Sequence, residues 1–211
     1  MPVIPKKKRT NWEISPQEKS RIIRLKILDE HIQRCKKCSR LRPNGIAIPY
    51  WNIESKYLGL AEAPGGEEVE CKTPLVGDAG KKWEKEIKRL GFKRKDFVLI
   101  NSVQCRPVVG KRNGKPTCDE IINCRFWVNK YIEVSRPEKI LAMGNYAVYS
   151  LFGTGNSLGG IMASSGKFIG NYGKIPVYAC IHPASLLYHN QSSDSGVKFL
   201  FRKSLRNFKE A

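Results

Sequence analysis

The sequence has 211 residues, which is enough for one full-sized domain with a buried core. Apolar residues make up 41% of it, but no run approaches the roughly 18 consecutive apolar residues that a membrane-spanning helix needs. Lys and Arg number 38 against 19 Asp and Glu, and this formal net charge of +19 favours a polyanionic partner. We therefore expect nucleic acid as the partner and no membrane association, with the solvated surface of a ribosome-associated or high-salt protein as the alternative.

The first twelve residues are rich in proline and lysine and predict a flexible basic tail, residues 1–12, ahead of a single domain, residues 13–211. Because this start lacks the apolar segment of a secretory signal, we expect a cytoplasmic protein associated with the nucleoid. Ser15-Pro16-Gln17-Glu18 is a capping box and predicts the start of an amphipathic helix that ends near Cys35. The apolar face of that helix consists of Ile22, Leu25, Leu28 and Ile32.

Two apolar runs predict strands of a sheet. Residues 56–61 form the first and lead into an acidic segment rich in turn formers, residues 62–68. A helix is predicted next, over residues 79–90. The second apolar run begins at Val98 and places Asn101 at the carboxyl end of its strand. Cys105 follows, and the Arg-Pro pair after it prevents any further continuation of the strand.

Strands and helices continue to alternate toward the C-terminus. This alternation predicts an α/β fold with three α/β/α layers and a central, mostly parallel sheet. The remaining predicted elements are a Gly, Lys and Arg loop at residues 108–115, helices at 117–134 and 145–152, strands at 139–143 and 176–181, and a basic C-terminal helix. The first of these helices opens with a second capping box, Thr117-Cys-Asp-Glu120.

Seven cysteines in a cytoplasmic chain indicate metal binding or catalysis rather than a disulfide framework. The candidate ligands are the Cys-x-x-Cys pair Cys35 and Cys38, together with Cys105 and Cys124. Four thiolates suit either tetrahedral zinc or a [4Fe-4S] cluster, and a second pair 19 residues apart is looser than a zinc ribbon requires. Cys118 is a competing fourth ligand. Cys71 and Cys180 have no partner at ligand spacing, and we expect both to be buried, inert thiols.

Three polar segments are expected to meet at one edge of the sheet. Residues 62–65 follow the first strand, Asn101 ends the second, and His182 follows the strand at residues 176–181. Ligands of open α/β sheets bind outside the carboxyl ends of the strands, so these segments predict a binding pocket at that edge.

Five short motifs carry a family resemblance. They are Ala61-Glu-Ala-Pro-Gly65, Thr73-Pro-Leu-Val-Gly77, residues 101–107, residues 116–124 and His182-Pro-Ala-Ser-Leu-Leu187. With these motifs the sequence resembles the uracil-DNA glycosylase superfamily, most closely family 4, the iron–sulfur enzymes of bacteria and archaea. The resemblance spans residue 35 to the C-terminus and implies a [4Fe-4S] cluster. It places Cys124 on a family cysteine and Cys118 on an unconstrained position, which implies Cys35, Cys38, Cys105 and Cys124 as the ligands.

The resemblance also implies roles in the pocket. Asn101 would hydrogen-bond the edge of a flipped base, and His182 would stabilise negative charge on the departing base. Glu62, the third catalytic residue implied, belongs to a loop that would position water. Leu186 and Leu187 would fill the gap left by the flipped nucleotide. The substrate-binding residues implied are Ala63, Pro64, Gly65, Leu75, Asn101, Ser185, Leu186 and Leu187.

The sequence departs from the family at two places. Leu75 stands where the family has a phenylalanine that stacks on uracil. Because base stacking contributes about 1–3 kcal/mol, we expect weaker uracil binding or a pocket for a different base. The loop at residues 108–115 is longer and more basic than the family's and should contact phosphates. It contains no histidine, so we reject the covalent-trapping mechanism of another branch of the superfamily.

We therefore expect a monomeric, monofunctional DNA glycosylase that hydrolyses the N-glycosidic bond of uracil, or of a related deaminated or modified base, in single- or double-stranded DNA. The alternative is an iron–sulfur DNA-binding protein of the same fold, weak or inactive as a catalyst, that senses damaged or modified bases. Asn101 and His182 favour the enzyme, whereas Leu75 favours the alternative. A zinc-stabilised nucleic-acid module is a third possibility, which the brown colour of an iron–sulfur protein would exclude.

Overall fold

The computed structural model of the protein describes residues 14–153, 166–188 and 196–211. Its strands are β1 (Tyr57–Ala61), β2 (Phe97–Asn101), β3 (Val108–Val109), β4 (Arg112–Asn113), β5 (Lys139–Met143), β6 (Phe168–Tyr172) and β7 (Ile175–Cys180). The central sheet has the order β2-β1-β5-β7-β6, with parallel pairing throughout except for the antiparallel edge strand β6. The basic tail expected at residues 1–12 lies outside the described residues.

Helices cover both faces of this sheet. They are α1 (Pro16–Gln33), α2 (Gly66–Glu70), α3 (Asp78–Arg89), α4 (Cys118–Ser135), α5 (Asn145–Phe152), α6 (Ser185–Tyr188) and α7 (Val197–Glu210). On one side α1 packs on α4 and α4 packs on α5, and on the other side α6 contacts both α3 and α7. The expected three-layer α/β/α architecture is confirmed, and no helix of the described part of the chain is long and apolar enough to cross a membrane.

The two long helices start at capping boxes, as the sequence predicts. The Ser15 hydroxyl accepts from the backbone N–H of Glu18 at 3.2 Å, and the Glu18 carboxylate accepts from the Ser15 N–H at 2.9 Å. Thr117 and Glu120 make the same reciprocal pair at 3.3 and 2.8 Å. Each cap satisfies backbone donors that a helix start leaves unpaired and stabilises the helix by about 1 kcal/mol.

Aromatic rings fill the core at the amino ends of β1 and β2. Phe97, the first residue of β2, has its ring centroid 5.3 Å from that of Trp83 in α3. Phe208, in the last turn of α7, lies 5.3 Å from the ring of Tyr57, the first residue of β1. The C-terminal end of α7 therefore lies at the amino edge of the sheet, opposite the edge where the strands end.

The strand β2 ends at Asn101, as the sequence predicts, because Ser102 and Val103 turn back to bond the carbonyls of Ala61 and Glu62. Two local expectations need correction. The segment 108–115 contains the hairpin β3-β4 rather than an irregular loop, since Gly110, with φ +59°, allows a tight turn. Cys180 is buried as expected, but the expectation of burial is wrong for Cys71, which is exposed after the short helix α2.

Candidate active site

The three polar segments expected to form a pocket do lie at one edge of the sheet. They follow the carboxyl ends of β1, β2 and β7, which run in the same direction. The backbone N–H and the hydroxyl of Ser102 both donate to the Ala61 carbonyl at 2.8 Å, and the Val103 N–H donates to the Glu62 carbonyl at 3.2 Å. These hydrogen bonds hold the residues after Asn101 against the loop that carries Glu62.

Asn101 has a buried side chain at the carboxyl end of β2. Only 2% of the residue is exposed, and its Nδ2 has no hydrogen-bond acceptor among the described residues. Its backbone carbonyl accepts from the side chain of Gln104. A buried donor left unpaired costs about 1–3 kcal/mol, so the amide of Asn101 is a ready partner for a ligand acceptor.

His182 carries a neutral imidazole at physiological pH. Its Nδ1 accepts from the Ala184 backbone N–H at 3.3 Å, which leaves the proton on Nε2. Burial lowers the pKa of His182 to about 4 because the charged ring would lose its water. A Cβ at Gly144, the residue before α5, would lie 3.1 Å from the Cβ of His182, so glycine lets these two segments approach.

Glu62 lies beside a cation and an aromatic ring. Burial raises the pKa of its carboxyl group, and the positive charge of Lys115 opposes this rise. The Lys115 ammonium lies 5.9 Å from the ring centroid of Tyr146, whose own pKa is raised by burial and then by the charge of Glu62. In the same loop Pro64 is buried, whereas Ala63 and Gly65 are partly buried.

Glu68, which the sequence patterns did not single out, joins two pocket segments. Its carboxylate accepts from the backbone N–H groups of Gly65, Val76 and Gly77 at 3.0, 3.1 and 2.8 Å. The loop after β1 and the segment 73–77 are therefore held together by one side chain. Its position three residues after Gly65, where a capping residue reaches back, was a signal that could have identified it.

Leu75 lies in a strained and closely packed backbone segment. It has the left-handed φ of +54°, and only 6% of the residue is exposed. Its carbonyl accepts from the Arg94 guanidinium at 3.0 Å. A Cβ at Gly80 would come within 2.1 Å of that carbonyl oxygen, so Gly80 permits the contact. The backbone of this segment is thus held independently of the Leu75 side chain.

The segment after His182 separates the two leucines that were predicted to enter the DNA. Leu186 is partly buried and packs against the main core, while Leu187 is 39% exposed. Ser185, the first residue of α6, is partly buried. Leu187 is the leucine that is free to contact a ligand, because Leu186 already contacts the protein.

A second polar feature beyond Asn101 lies near His182 and was also not identified from the sequence. Asn145, the first residue of α5, has a buried Oδ1 with no hydrogen-bond donor among the described residues. Asn145 comes two residues after the end of β5, which runs parallel to β1 and β2 in the sheet. Its unpaired acceptor therefore lies at the same edge of the sheet as the unpaired donor of Asn101.

The four candidate cysteine ligands line one cavity beside this edge. They are Cys35, Cys38, Cys105 and Cys124, and the other residues that line the cavity include Lys37, Leu41, Arg42, Val103, Asn123 and Trp127. Cys118 does not line it but is exposed on the first turn of α4, next to Tyr149. No three Cys, His, Asp or Glu side chains in the described ranges are close enough to hold a single metal ion, so what the four thiols share is the cavity.

Hydrogen-bond donors or a cation lie near three of the four thiols and oppose the rise in pKa that burial causes there. The backbone N–H of Gln104 donates to the Cys124 Sγ at 3.4 Å, and the Asn123 amide donates to the Cys38 Sγ at 3.9 Å. Burial raises the pKa of Cys124 to about 12, so a thiolate there needs a cation to hold its charge. The Arg42 guanidinium opposes the rise that burial causes in the pKa of Cys105. N–H donors and cations around buried sulfurs fit a thiolate-bound iron–sulfur cluster.

Gln104 connects the cysteine cavity with Asn101. Its backbone bonds Cys124, and its side-chain amide donates to the Asn101 carbonyl. Only 1% of the residue is exposed. No sequence pattern indicated this role, because both bonds depend on the turn that follows β2.

Comparison with known proteins gives consistent matches over most of the chain. The family model described as the uracil DNA glycosylase superfamily matches residues 48–209. The chain is 32% identical to a type-4 uracil-DNA glycosylase of Saccharolobus solfataricus over 89% of its own length and 86% of that protein. It is 30% identical to a type-4 uracil-DNA glycosylase of Archaeoglobus fulgidus over 76% of its length and 81% of that protein. A type-5 uracil-DNA glycosylase of Pyrobaculum aerophilum is 26% identical over 67% of each chain.

Proposed function

This chain belongs to the uracil DNA glycosylase superfamily, and we propose from that premise that it hydrolyses the N-glycosidic bond of uracil in DNA, as a base-excision repair enzyme. One observation carries the proposal: the unpaired amide of Asn101 and the neutral imidazole of His182 lie at the same edge of the sheet. Retention of both groups disfavours the alternative of an inactive DNA-binding protein.

Asn101 is proposed to read the flipped base. A side-chain amide offers one donor and one acceptor group, which match a carbonyl and the adjacent N–H of uracil. The Nδ2 of Asn101 has no protein acceptor among the described residues, so binding of a base carbonyl would satisfy it. This gain offsets part of the few kcal/mol that unstacking a nucleotide costs.

His182 is proposed to stabilise the leaving base. As the C1′–N bond breaks, its electron pair goes to the base, and negative charge develops on the base carbonyl oxygens. A neutral imidazole protonated on Nε2 donates a hydrogen bond to such an oxygen. Because the ring is neutral before and after the step, it need not pass its proton to the base.

Glu62 is proposed to orient the attacking water. An ionised carboxylate accepts a hydrogen bond from the water whose oxygen forms the new bond to C1′, and it accepts the proton which that water releases. The charge of Lys115 favours the ionised form of Glu62 in a site where burial disfavours it.

The cysteine cavity is proposed to hold a [4Fe-4S] cluster. The thiolates of Cys35, Cys38, Cys105 and Cys124 would be its ligands, supported by the N–H donors and cations around them. When bound, the cluster would crosslink the end of α1, the segment after β2, and α4. Cys105 directly follows residues 102–104, which hold Asn101 in place, so the crosslink would also stabilise the pocket.

Excision from defined oligonucleotides tests the proposal. Single-turnover cleavage of strands that carry uracil, hypoxanthine, xanthine or 5-hydroxymethyluracil, followed by alkali, would identify the base. His182→Ala should lower the rate by about 100- to 1,000-fold, as loss of an oxyanion donor does, with little change in DNA affinity. His31→Ala, on the exposed face of α1, is the matched control. A wild-type protein that leaves every substrate intact, with its cluster present, would contradict the proposal.

A further inference from the structure

A second cleft lies between the helices α3 and α7. It has a volume of about 300 Å³ and is lined by Glu86, Arg89, Leu90, Phe199, Arg202 and Arg206. That volume is at the lower end of the range for small-ligand pockets. None of these residues belongs to the pocket segments or to the cysteine cavity.

The cleft extends toward the edge of the sheet opposite the base pocket. The Lys209 ammonium donates to the Leu90 carbonyl at 2.8 Å, and Phe208 contacts the first residue of β1, Tyr57. Leu90 therefore lies near the amino ends of the strands, whereas Asn101 lies at a carboxyl end. A strand such as β1, with five residues, separates these edges by roughly 15 Å at about 3.3 Å per residue.

A buried carboxylate holds two of the three arginines in place. The Glu86 side chain is only 8% exposed and accepts from Arg89 at 2.6 Å and from the Arg202 Nε at 2.8 Å. Arg206 is exposed, and no acidic side chain in the described part of the chain lies within ion-pair distance of it. The described residues that line the cleft carry three guanidinium groups and one carboxylate, and guanidinium groups bind phosphate in planar, two-point geometry.

Phe199 adds an exposed aromatic ring to this positive cleft. It is 50% exposed and precedes Arg202 and Arg206 by three and seven residues, so the three side chains share one face of α7. Ion pairing within α3 and between α3 and α7 accounts for Glu86, Arg89 and Arg202, but it accounts for neither the exposed ring of Phe199 nor Arg206. A ring beside cations is how proteins bind an unpaired base together with its phosphate.

We propose that this cleft is a second nucleic-acid site, which binds a segment of single-stranded DNA with a phosphate on the arginines and a base on Phe199. The site shares no residue with the proposed base pocket and does not depend on the glycosylase reaction. It gives the protein a contact with a second DNA segment while the base pocket is occupied.

The test uses the whole protein with its base pocket already filled. A short duplex that carries 2′-fluorinated deoxyuridine, which resists hydrolysis, occupies the pocket, and fluorescence anisotropy then follows binding of a labelled deoxycytidine octamer. The variant Phe199→Ala/Arg206→Glu should weaken octamer binding about tenfold or more, as loss of one stacked base does. The matched control Phe168→Ala/Lys174→Glu removes another exposed ring and makes the same charge change at the β6-β7 hairpin.

Three results would overturn the proposal. Octamer binding that disappears once the duplex fills the pocket would mean that the cleft is not a separate site. Equal weakening by the control variant would mean that the loss of octamer binding reflects the net charge of the protein and not the cleft. Competition by deoxycytidine monophosphate as strong as by the unlabelled octamer would assign the cleft to a free nucleotide. Uracil excision from a short strand should be unchanged in Phe199→Ala/Arg206→Glu. A negative result for the second site would therefore leave the proposed excision reaction to be tested separately.

Discussion

Replacement of Gln104 by methionine separates a role in stability from a role in positioning the base pocket. Methionine has nearly the same length and volume, so it fills the space of a residue that is 1% exposed. It cannot donate to the Asn101 carbonyl, but the backbone bond to the Cys124 Sγ remains. Gln104→Met therefore removes the link to the pocket while the link to the cysteine cavity stays in place.

The expected magnitudes favour an effect on catalysis over an effect on folding. Loss of the partner of a buried carbonyl costs about 1–3 kcal/mol. The change also removes the Gln104 Oε1, a buried acceptor with no donor among the described residues, and that removal offsets a similar amount. We expect the free energy of unfolding to change by less than about 1 kcal/mol, since these two effects have opposite signs.

Excision should respond more strongly, because Asn101 loses the bond that fixes its backbone. A shift of about 1 Å in a positioning group lowers a rate by up to about 100-fold, so we expect a loss of about ten- to a hundredfold in single-turnover excision. Urea unfolding and the visible absorbance of the cluster, measured on the same samples, would monitor folding and ligation. Gln17→Met, on the exposed surface of α1, is the matched control. An unchanged excision rate in Gln104→Met would refute the reasoning.

Three further outcomes follow from the site. The folded-state pKa of His182, about 4, lies below the ordinary 6.5, so its contribution to stability is complete above pH 6.5 and is lost as the pH falls toward 4. At pH 6, ¹⁵N NMR should show the His182 ring with a proton on Nε2 and none on Nδ1. Cys124→Ser should bleach the protein and lower its unfolding temperature, whereas Cys118→Ser, at an exposed position outside the cavity, should do neither, as absorbance and melting curves would reveal. Leu75→Phe should raise uracil excision if the ring reaches the flipped base; activity assays that show no change on any base would mean that Leu75 does not contact it.

Local signals in the sequence were sufficient for most of the fold. The capping boxes at Ser15 and Thr117, the apolar run that ends at Asn101, and the helix that ends before Gly91 all occur in the structure near their predicted bounds. Each of these signals depends on residues within a few positions of one another. The common edge for the segments at Glu62, Asn101 and His182 followed as well, because parallel strands must end on the same side. Their catalytic roles stay predictions.

The tertiary structure alone decided how the pocket is held. Gln104 joins the cysteine cavity to Asn101 without a sequence signature, and the capping position of Glu68 indicates its bond to Gly65 but not its bond to Gly77. The exposure of Cys71 and the neutral state of His182 depend in the same way on which side chains pack around them. Hydrogen bonds between distant segments and the loss of water around a titratable ring arise only when the chain is folded, so periodicity and motif spacing, which report on neighbours along the chain, carry no information about them.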